Sequence, residues 1–166
     1  CICFSKSVSD VDIFGTSGND CIAAYNGLGA HLYGGDGDDT LVTDYIDDAE
    51  LHGGDGDDTL EAYAVANDAV LYGGEGDDSL KAYDTGARAV LNGGDGDDTL
   101  LAKNTTGMAL LQGDEGDDIL SAYDTGGQAV LDGGDGNDAL LAERTTGNAY
   151  LRGYEGDDIL KAYDSV

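Results

Sequence analysis

A short segment rich in glycine and aspartate recurs along this chain, and its residue types are those that bind a cation through oxygen. Each copy begins with glycine and carries aspartate at its sixth position, as in GGDGDDTL. The copies are spaced by 19 or 20 residues and begin at Gly15, Gly34, Gly53, Gly73, Gly93, Gly113, Gly133 and Gly153. The sixth-position aspartates are Asp20, Asp39, Asp58, Asp78, Asp98, Asp118, Asp138 and Asp158. Carboxylates at a fixed period, beside glycines that let backbone carbonyls turn inward, supply a repeating set of oxygen ligands.

A fixed period of this size predicts that each repeat is one coil of a stacked solenoid. Leucine or isoleucine fills the eighth position of every coil, and alanine or threonine fills the tenth. A second apolar pair follows near the end of the coil, as in Ala89 and Leu91. Residues two apart lie on the same side of a strand, so each coil should hold two short strands. The predicted fold class is all-β, a right-handed parallel β-roll (β-solenoid) of about eight coils of 19–20 residues with one calcium-binding turn per coil.

Stacked coils would place the acidic turns along one edge, separated by only one strand spacing of ~4.8 Å. Like charges this close repel one another unless a cation neutralises them. Carboxylates and carbonyls form an all-oxygen environment, which suits calcium better than zinc or copper, because those ions prefer nitrogen or sulfur. The sequence therefore predicts Ca²⁺ between successive turns, and a chain that folds on binding it.

The repeated segment resembles the nonapeptide GGxGxDxUx, with U large and apolar, of the RTX (repeats-in-toxin) calcium-binding β-roll. GGDGDDTLE at 53–61 and GGEGDDSLK at 73–81 match that pattern at every fixed position, and the resemblance extends over residues 15–166. RTX rolls occur in secreted toxins, proteases and adhesins. Residues 15–166 are therefore expected to form a single calcium-binding domain, preceded by a degenerate coil at 1–14.

The resemblance also implies which atoms hold each ion. One turn would contribute the carbonyls of positions one and three, such as Gly53 and Asp55, and its neighbour those of positions two and four, such as Gly74 and Gly76. Both turns would contribute their sixth-position carboxylates. The implied carbonyls of positions one and three are those of Gly34, Asp36, Gly53, Asp55, Gly73, Glu75, Gly93, Asp95, Gly113, Glu115, Gly133 and Asp135.

This sequence departs from the standard RTX pattern in two ways. The second half of each coil lacks the acidic motif, so one row of about seven calcium ions is expected instead of two rows. The first copy has Thr16 and Ser17 where others have glycine and an acid, so its site is the weakest prediction. Asp114 and Tyr154 replace the second glycine of their copies, which should strain those turns.

The charge of the chain limits its partners. Thirty-five acidic residues against seven basic ones give a net charge of −28, which disfavours nucleic acids and anionic membranes. No apolar run approaches the ~18 residues of a membrane span, and no signal peptide is visible. No arrangement of nucleophile and base recurs, and His31 and His52 are interpreted as surface residues. The chain is therefore predicted not to be an enzyme.

Three cysteines lie near the N-terminus. If residues 1–14 form a coil, Cys1 and Cys21 occupy the same outward column on adjacent coils, with Cα atoms ~4.8 Å apart. A Cys1–Cys21 disulfide that fixes the first coil is one interpretation, with Cys3 free or intermolecular. Three unpaired thiols are the alternative.

Tyrosines recur at the eleventh position of five coils: Tyr25, Tyr63, Tyr83, Tyr123 and Tyr163. They form either an aromatic ladder that packs across coils or a surface that binds carbohydrate or another subunit. The sequence favours an extracellular, calcium-stabilised structural role, as a self-associating filament or matrix subunit or as an adhesin stalk, with association end to end. An ice- or carbohydrate-binding adhesin module, and the C-terminal secretion or folding domain of a larger RTX toxin or protease, remain alternatives.

Overall fold

The computed structural model describes the backbone of residues 2–4 and both backbone and side chains of residues 9–163. Fifteen strands and no helices are present in this part of the chain. The strands are β1 (Ile2–Phe4), β2 (Val11–Phe14), β3 (Cys21–Asp36), β4 (Thr40–Asp55), β5 (Thr59–Tyr63), β6 (Ala69–Glu75), β7 (Ser79–Tyr83), β8 (Ala89–Asp95), β9 (Thr99–Lys103), β10 (Ala109–Glu115), β11 (Ile119–Tyr123), β12 (Ala129–Asp135), β13 (Ala139–Glu143), β14 (Ala149–Glu155) and β15 (Ile159–Tyr163). None of the described segments is a helix that is long and apolar enough to cross a bilayer.

All strand pairs are parallel, and each residue pairs with its equivalent one coil away. Leu80, for example, lies between Leu60 and Leu100 in the ladder. Strands β5, β7, β9, β11, β13 and β15 form what we call the first sheet, and β6, β8, β10, β12 and β14 form the second sheet. The chain is thus a parallel β-solenoid of about eight coils, as the repeat predicts.

Two early coils differ from the expected two strands per coil. Strands β3 and β4 each run for 16 residues without a break and belong to both sheets. Their second turns lack the Thr-Gly of later coils and keep ladder pairing through the bend, where Gly27 pairs with Ile46 and Gly29 with Asp48. Strands β1 and β2 pair with the two halves of β3, so residues 2–4 and 11–14 continue the stack at its N-terminal side.

The core is a thin layer between the two sheets. The first sheet contributes the eighth-position leucines and tenth-position alanines, and the second sheet contributes the alanine and leucine of each later pair. Alanine lets the sheets approach, and leucine fills the remaining space, so both pairs of columns are buried as predicted. The fully buried leucines and isoleucines are Ile22, Leu32, Leu41, Ile46, Leu51, Leu60, Leu71, Leu80, Leu91, Leu100, Leu111, Leu120, Leu131 and Leu140.

A column of threonines inside the second turn was not anticipated from the sequence. Ladder hydrogen bonds stack Thr85, Thr105 and Thr125 directly after Ile46 and Val65. All five side chains are buried, and the hydroxyls of the three threonines have no hydrogen-bond partner. These residues close the end of the core, and the same position accepts either threonine or a purely apolar side chain.

Substituting valine for Thr105 should stabilise the folded chain by about 1 kcal/mol, because it removes an unpartnered buried hydroxyl and keeps the shape of the side chain. Val65 already occupies the equivalent position. The free energy of unfolding, measured by denaturant at a fixed calcium concentration, checks this. The reverse change, Val65→Thr, should destabilise by a similar amount, and a destabilising Thr105→Val would contradict the assignment.

Candidate metal centre

The sixth-position aspartates lie in one buried column at the edge of the solenoid. Asp58, Asp78, Asp98, Asp118 and Asp138 have 1–2% of their surface exposed. Asp39 is equally buried, whereas Asp20 and Asp158 in the outermost copies are partly exposed. The strand that follows each turn begins at the residue after this aspartate, and its second residue is the inward leucine or isoleucine. The aspartate lies two residues before that side chain, so the strand period points the carboxylate to the same inner side.

One oxygen of each carboxylate links its coil to the preceding coil. The backbone N–H of Asp58 donates to Asp78 Oδ1 at 2.7 Å, and that of Asp78 donates to Asp98 Oδ1 at the same distance. The pattern is continuous from Asp20 to Asp158 with distances of 2.6–3.0 Å. These bonds fix the orientation of the seven carboxylates from Asp39 to Asp158 without using their second oxygens.

The second oxygen has no partner in six consecutive copies. It is buried and accepts no hydrogen bond in Asp39, Asp58, Asp78, Asp98, Asp118 and Asp138. An unpaired buried carboxylate oxygen costs several kcal/mol unless a cation or donor satisfies it. A column of six such atoms is the strongest sign in the molecule of positive partners between the turns.

The first glycine of each motif leaves the space in front of this oxygen open. A Cβ on Gly73 would lie 2.1 Å from Asp78 Oδ2 and 2.5 Å from the carbonyl oxygen of Gly93. A Cβ on Gly53 would lie 2.1 Å from Asp58 Oδ2 and 2.7 Å from the carbonyl oxygen of Gly73. The unpartnered carboxylate oxygen and a backbone carbonyl of the next coil therefore converge on one point, as ligands of a shared ion must.

The two turns beside each gap contribute carbonyls in the reverse order to that implied by the RTX resemblance. The carbonyls of Gly54 and Gly56, at positions two and four, point toward Gly74 and Gly76 of the following turn. The carbonyl of Glu75, at position three, points back and accepts a hydrogen bond from Gly56 N–H at 2.7 Å. Alternate carbonyls of a parallel strand face opposite neighbours. Positions two and four therefore come from the earlier turn, and positions one and three from the later one.

The donor set fits a hard cation. Among the described residues, no three His, Cys, Asp or Glu side chains come together as a metal-binding group. A site here must therefore combine two carboxylates with backbone carbonyls, which gives oxygen ligands only. That chemistry suits calcium and disfavours zinc and copper.

Burial raises the pKa of these carboxyl groups, and the neighbouring acids raise it further. The pKa is about 6 for Asp58, about 7 for Asp78 and Asp118, and about 8 for Asp98. The backbone N–H bond to each carboxylate opposes the shift but does not cancel it. Near neutral pH the metal-free column therefore holds protons, which a bound cation would displace.

Metal-free protein should gain β structure as the pH falls from about 8 to about 5. A pKa raised in the folded state stabilises that state at low pH, and the contribution is lost as the pH rises through the folded values of 6–8. Circular dichroism in a chelator checks this. A midpoint near the ordinary aspartate pKa of ~3.9 would contradict it. With calcium present, the apparent affinity should instead decrease as the pH falls, because protons compete for the same oxygens.

The first copy of the motif differs from the rest in its hydrogen bonds, and the copies that lack the second glycine differ in their backbone angles. Thr16 donates to Asp20 Oδ2 from its backbone N–H at 2.6 Å and from its hydroxyl at 2.8 Å. This carboxylate is therefore already satisfied within its own turn. Asp114 and Tyr154 have positive φ angles of 84° and 77°, so these non-glycine residues hold the strained conformation that was predicted.

The second turns provide no comparable site in the part of the chain that the structure describes. Threonine or an apolar residue fills the inward position there, and carbonyls such as those of Thr85 and Thr105 accept ladder hydrogen bonds. Among the described residues, the buried carboxylate oxygens without a hydrogen-bond partner all lie at first turns. This arrangement supports a single row of ions.

Other predicted residues are placed as follows. Cys21 is partly exposed, and the proposed partner Cys1 lies outside the described residues, as does the side chain of Cys3. His31 bonds to Asp12 and His52 to Glu50, each at 2.8 Å and on the surface. Of the eleventh-position tyrosines, Tyr63 and Tyr83 stack with ring centroids 5.1 Å apart.

An aromatic column on the second sheet was not predicted from the sequence. Phe14, Tyr33, His52 and Tyr72 stack in sequence with centroids 4.7–4.9 Å apart. The residues share one position but not one residue type, and only their register reveals the column. Their faces contact each other, so only ring edges meet solvent between the first and last members.

Comparison with protein families gives one match. The family model described as the RTX calcium-binding nonapeptide repeat (4 copies) matches residues 31–44, 48–64, 63–84, 90–103 and 145–165. These segments together cover just over half of the chain. No curated protein and no solved structure matches it.

Proposed function

The chain belongs to the RTX calcium-binding nonapeptide repeat family, and on that premise we propose that it is an extracellular, non-enzymatic structural module that folds on binding calcium. The column of six buried carboxylate oxygens without hydrogen-bond partners supports this most directly. Each ion would lie between two turns, held by both sixth-position carboxylates and by carbonyls such as those of Gly73 and Gly54. Bound calcium supplies the positive charge that the column lacks.

The charge of the chain supports a row of several ions. About seven divalent ions would halve the net charge of −28. Calcium is abundant outside cells, where modules with sites of modest affinity are loaded. RTX repeats are typical of secreted proteins, which agrees with an extracellular location.

A calcium titration of chelated protein tests the proposal. Far-UV circular dichroism should show a cooperative gain of β signal, and isothermal titration should approach about seven ions per chain. Magnesium at the same concentration should produce little folding, because it requires a tighter octahedron of ligands. A chain that remains unfolded at millimolar calcium, or that folds equally with calcium and without it, would contradict the proposal.

End-to-end association, giving a filament or a stalk, forms the more specific part of the proposal. Leu160 occupies a column whose other leucines are buried, yet it is 43% exposed. The first coil of a second copy, stacked on this one, would cover it. Sedimentation during the calcium titration distinguishes the cases, because particles that lengthen with protein concentration support association and a constant monomer contradicts it.

A further inference from the structure

The outer face of the second sheet carries a continuous column of apolar side chains. The middle outward residue is apolar in each of the strands β6, β8, β10, β12 and β14, and ladder register places the five in one line. All but the last are half-buried by their neighbours. The apolar column consists of Val70, Val90, Leu110, Val130 and Tyr150.

The residues on both sides of the apolar column balance in charge. Arg88 pairs with Asp68 at 2.6 Å, and Arg152 with Asp132 at 3.1 Å, in each case across one coil boundary. The other flanking positions hold Tyr72, Asn92, Met108, Gln112, Gln128 and Asn148. This face is therefore neutral in a chain whose net charge is −28. Few net charges, with arginine, tyrosine and methionine enriched, are typical of protein–protein interfaces.

We propose that this face pairs with the same face of a second copy, around a two-fold axis parallel to the solenoid axis. Such an axis places each coil opposite the same coil of the partner, so the apolar column meets itself. The outward residues two positions before the apolar column in one copy then face the outward residues two positions after it in the other. Asp68 would face a Tyr72, and Arg88 would face an Asn92.

The same exchange is complementary further along the stack. Gln128 would face an Asp132, and Asn148 would face an Arg152. Each of these pairs joins a hydrogen-bond donor to an acceptor, and none joins like charges. One coil earlier, Glu50 of β4 continues the column and would face its own copy, but His52 lies 2.8 Å from its carboxylate. A surface that matches itself in this way is what an isologous dimer requires.

Charge also selects this axis over the other two-fold arrangement. An axis along the strands would lay the acidic turns of one copy beside those of the other. The axis along the solenoid lays them beside the second turns instead, and the like-charged edges stay apart. Five coils at ~4.8 Å and about five strand residues at ~3.3 Å give a footprint of roughly 24 by 17 Å. Such an interface is small, so the dimer should be weak and concentration-dependent.

The pairing rests on the calcium-loaded roll of the proposed function, since bound calcium lowers the repulsion between copies. Sedimentation equilibrium in calcium should show a monomer–dimer equilibrium. Leu110→Lys should shift it to monomer by at least tenfold in dissociation constant, because two ammonium groups would meet at the axis. Leu101→Lys is the matched control, since Leu101 is also half-buried but lies on the outer face of the first sheet; it should leave the dimer intact.

A mixture of variants tests the two-fold contact directly. Leu110→Lys and Leu110→Glu should each be monomeric, and their mixture should recover a heterodimer because opposite charges then meet. Circular dichroism and calcium stoichiometry report folding separately from association. A folded, calcium-loaded protein that stays monomeric at all concentrations overturns the pairing and leaves the proposed function standing. Association that Leu110→Lys does not weaken also overturns it.

Crosslinking tests the direction of the axis. Facing sheets lie ~10 Å apart, too far for a disulfide, so a short bismaleimide suits a variant whose three natural cysteines are serine. Val130→Cys should then crosslink to itself, and Leu101→Cys should not. Crosslinking between Val130→Cys and Val90→Cys, without self-crosslinking of either, would overturn the proposed axis.

Discussion

Replacing Asp78 with asparagine should remove about two calcium ions from the row, because this carboxylate borders two gaps. Its Oδ1 accepts a hydrogen bond from the N–H of Asp58 in the preceding coil. Its Oδ2 and the Gly93 carbonyl oxygen both face the space that the missing side chain of Gly73 leaves open. Asparagine keeps the shape and an acceptor for the N–H but lacks the charge. We expect the calcium-dependent gain in stability to fall by about 3–5 kcal/mol. Calorimetry and denaturant unfolding at fixed calcium measure both quantities.

The neighbouring acid provides a matched control. Asp77→Asn changes the net charge equally, but Asp77 is exposed and its Oδ1 only receives the N–H of Asp97. It should leave the ion count unchanged. In chelator at pH 8, Asp78→Asn should raise the β content, since burial lifts the pKa of Asp78 to about 7 and the amide removes that buried charge. Equal losses of calcium in both variants would contradict the assignment of ligands.

Alanine at Gly73 should destabilise the calcium-loaded roll by about 3 kcal/mol, because it forces extra volume into a closed space. The added Cβ would lie 2.1 Å from Asp78 Oδ2 and 2.5 Å from the Gly93 carbonyl, which displaces both ligands. The Asp78 carboxylate cannot move aside freely, because its Oδ1 holds the N–H of Asp58 at 2.7 Å. Calcium affinity and the free energy of unfolding should fall together.

The adjacent position shows how specific this requirement is. Position one is glycine in all eight copies, whereas position two is Thr16, Asp114 or Tyr154 in three of them. At its own φ of 133°, Gly74 would bring an added Cβ to 2.0 Å from the Gly54 carbonyl oxygen, so Gly74→Asp requires φ to shift toward the 84° that Asp114 adopts at the equivalent position. Because the chain already accommodates that conformation at Asp114, the change should cost only about 1 kcal/mol. If Gly74→Asp lowered the free energy of unfolding more than Gly73→Ala, the open space beside the carboxylate would have been assigned to the wrong glycine.

Local periodicity was sufficient to predict most of this fold. Asp78, Leu80 and Ala82 are two residues apart, and the strand period alone places them on one inner side. Their recurrence every 20 residues then defines the ladder, so the buried carboxylate column and the leucine core follow from the same count. These features depend on residue type at fixed spacing, which a sequence displays directly.

Features that depend on the path of the backbone were not predictable in this way. Thr85 is a polar residue beside glycine, a pair typical of exposed turns, yet it is fully buried because the coil folds around it. Pairing between coils decides whether the carbonyls of Gly54 and Glu75 face the following or the preceding coil, and residue types do not reveal this. The same holds for the stack of Tyr33, His52 and Tyr72, whose members share a place in the register and not a residue type.

The hydrogen bonds between coils all run along the solenoid axis, and this direction has a mechanical consequence. A load applied along the axis would act on one coil boundary at a time, so the coils would peel away in series. Each coil holds about 20 residues and would release ~70 Å of extended chain in exchange for ~4.8 Å of folded length. Calcium at each boundary would set the force for that step. A module of this kind would behave as an extensible tether whose resistance to load rises with the calcium concentration around it.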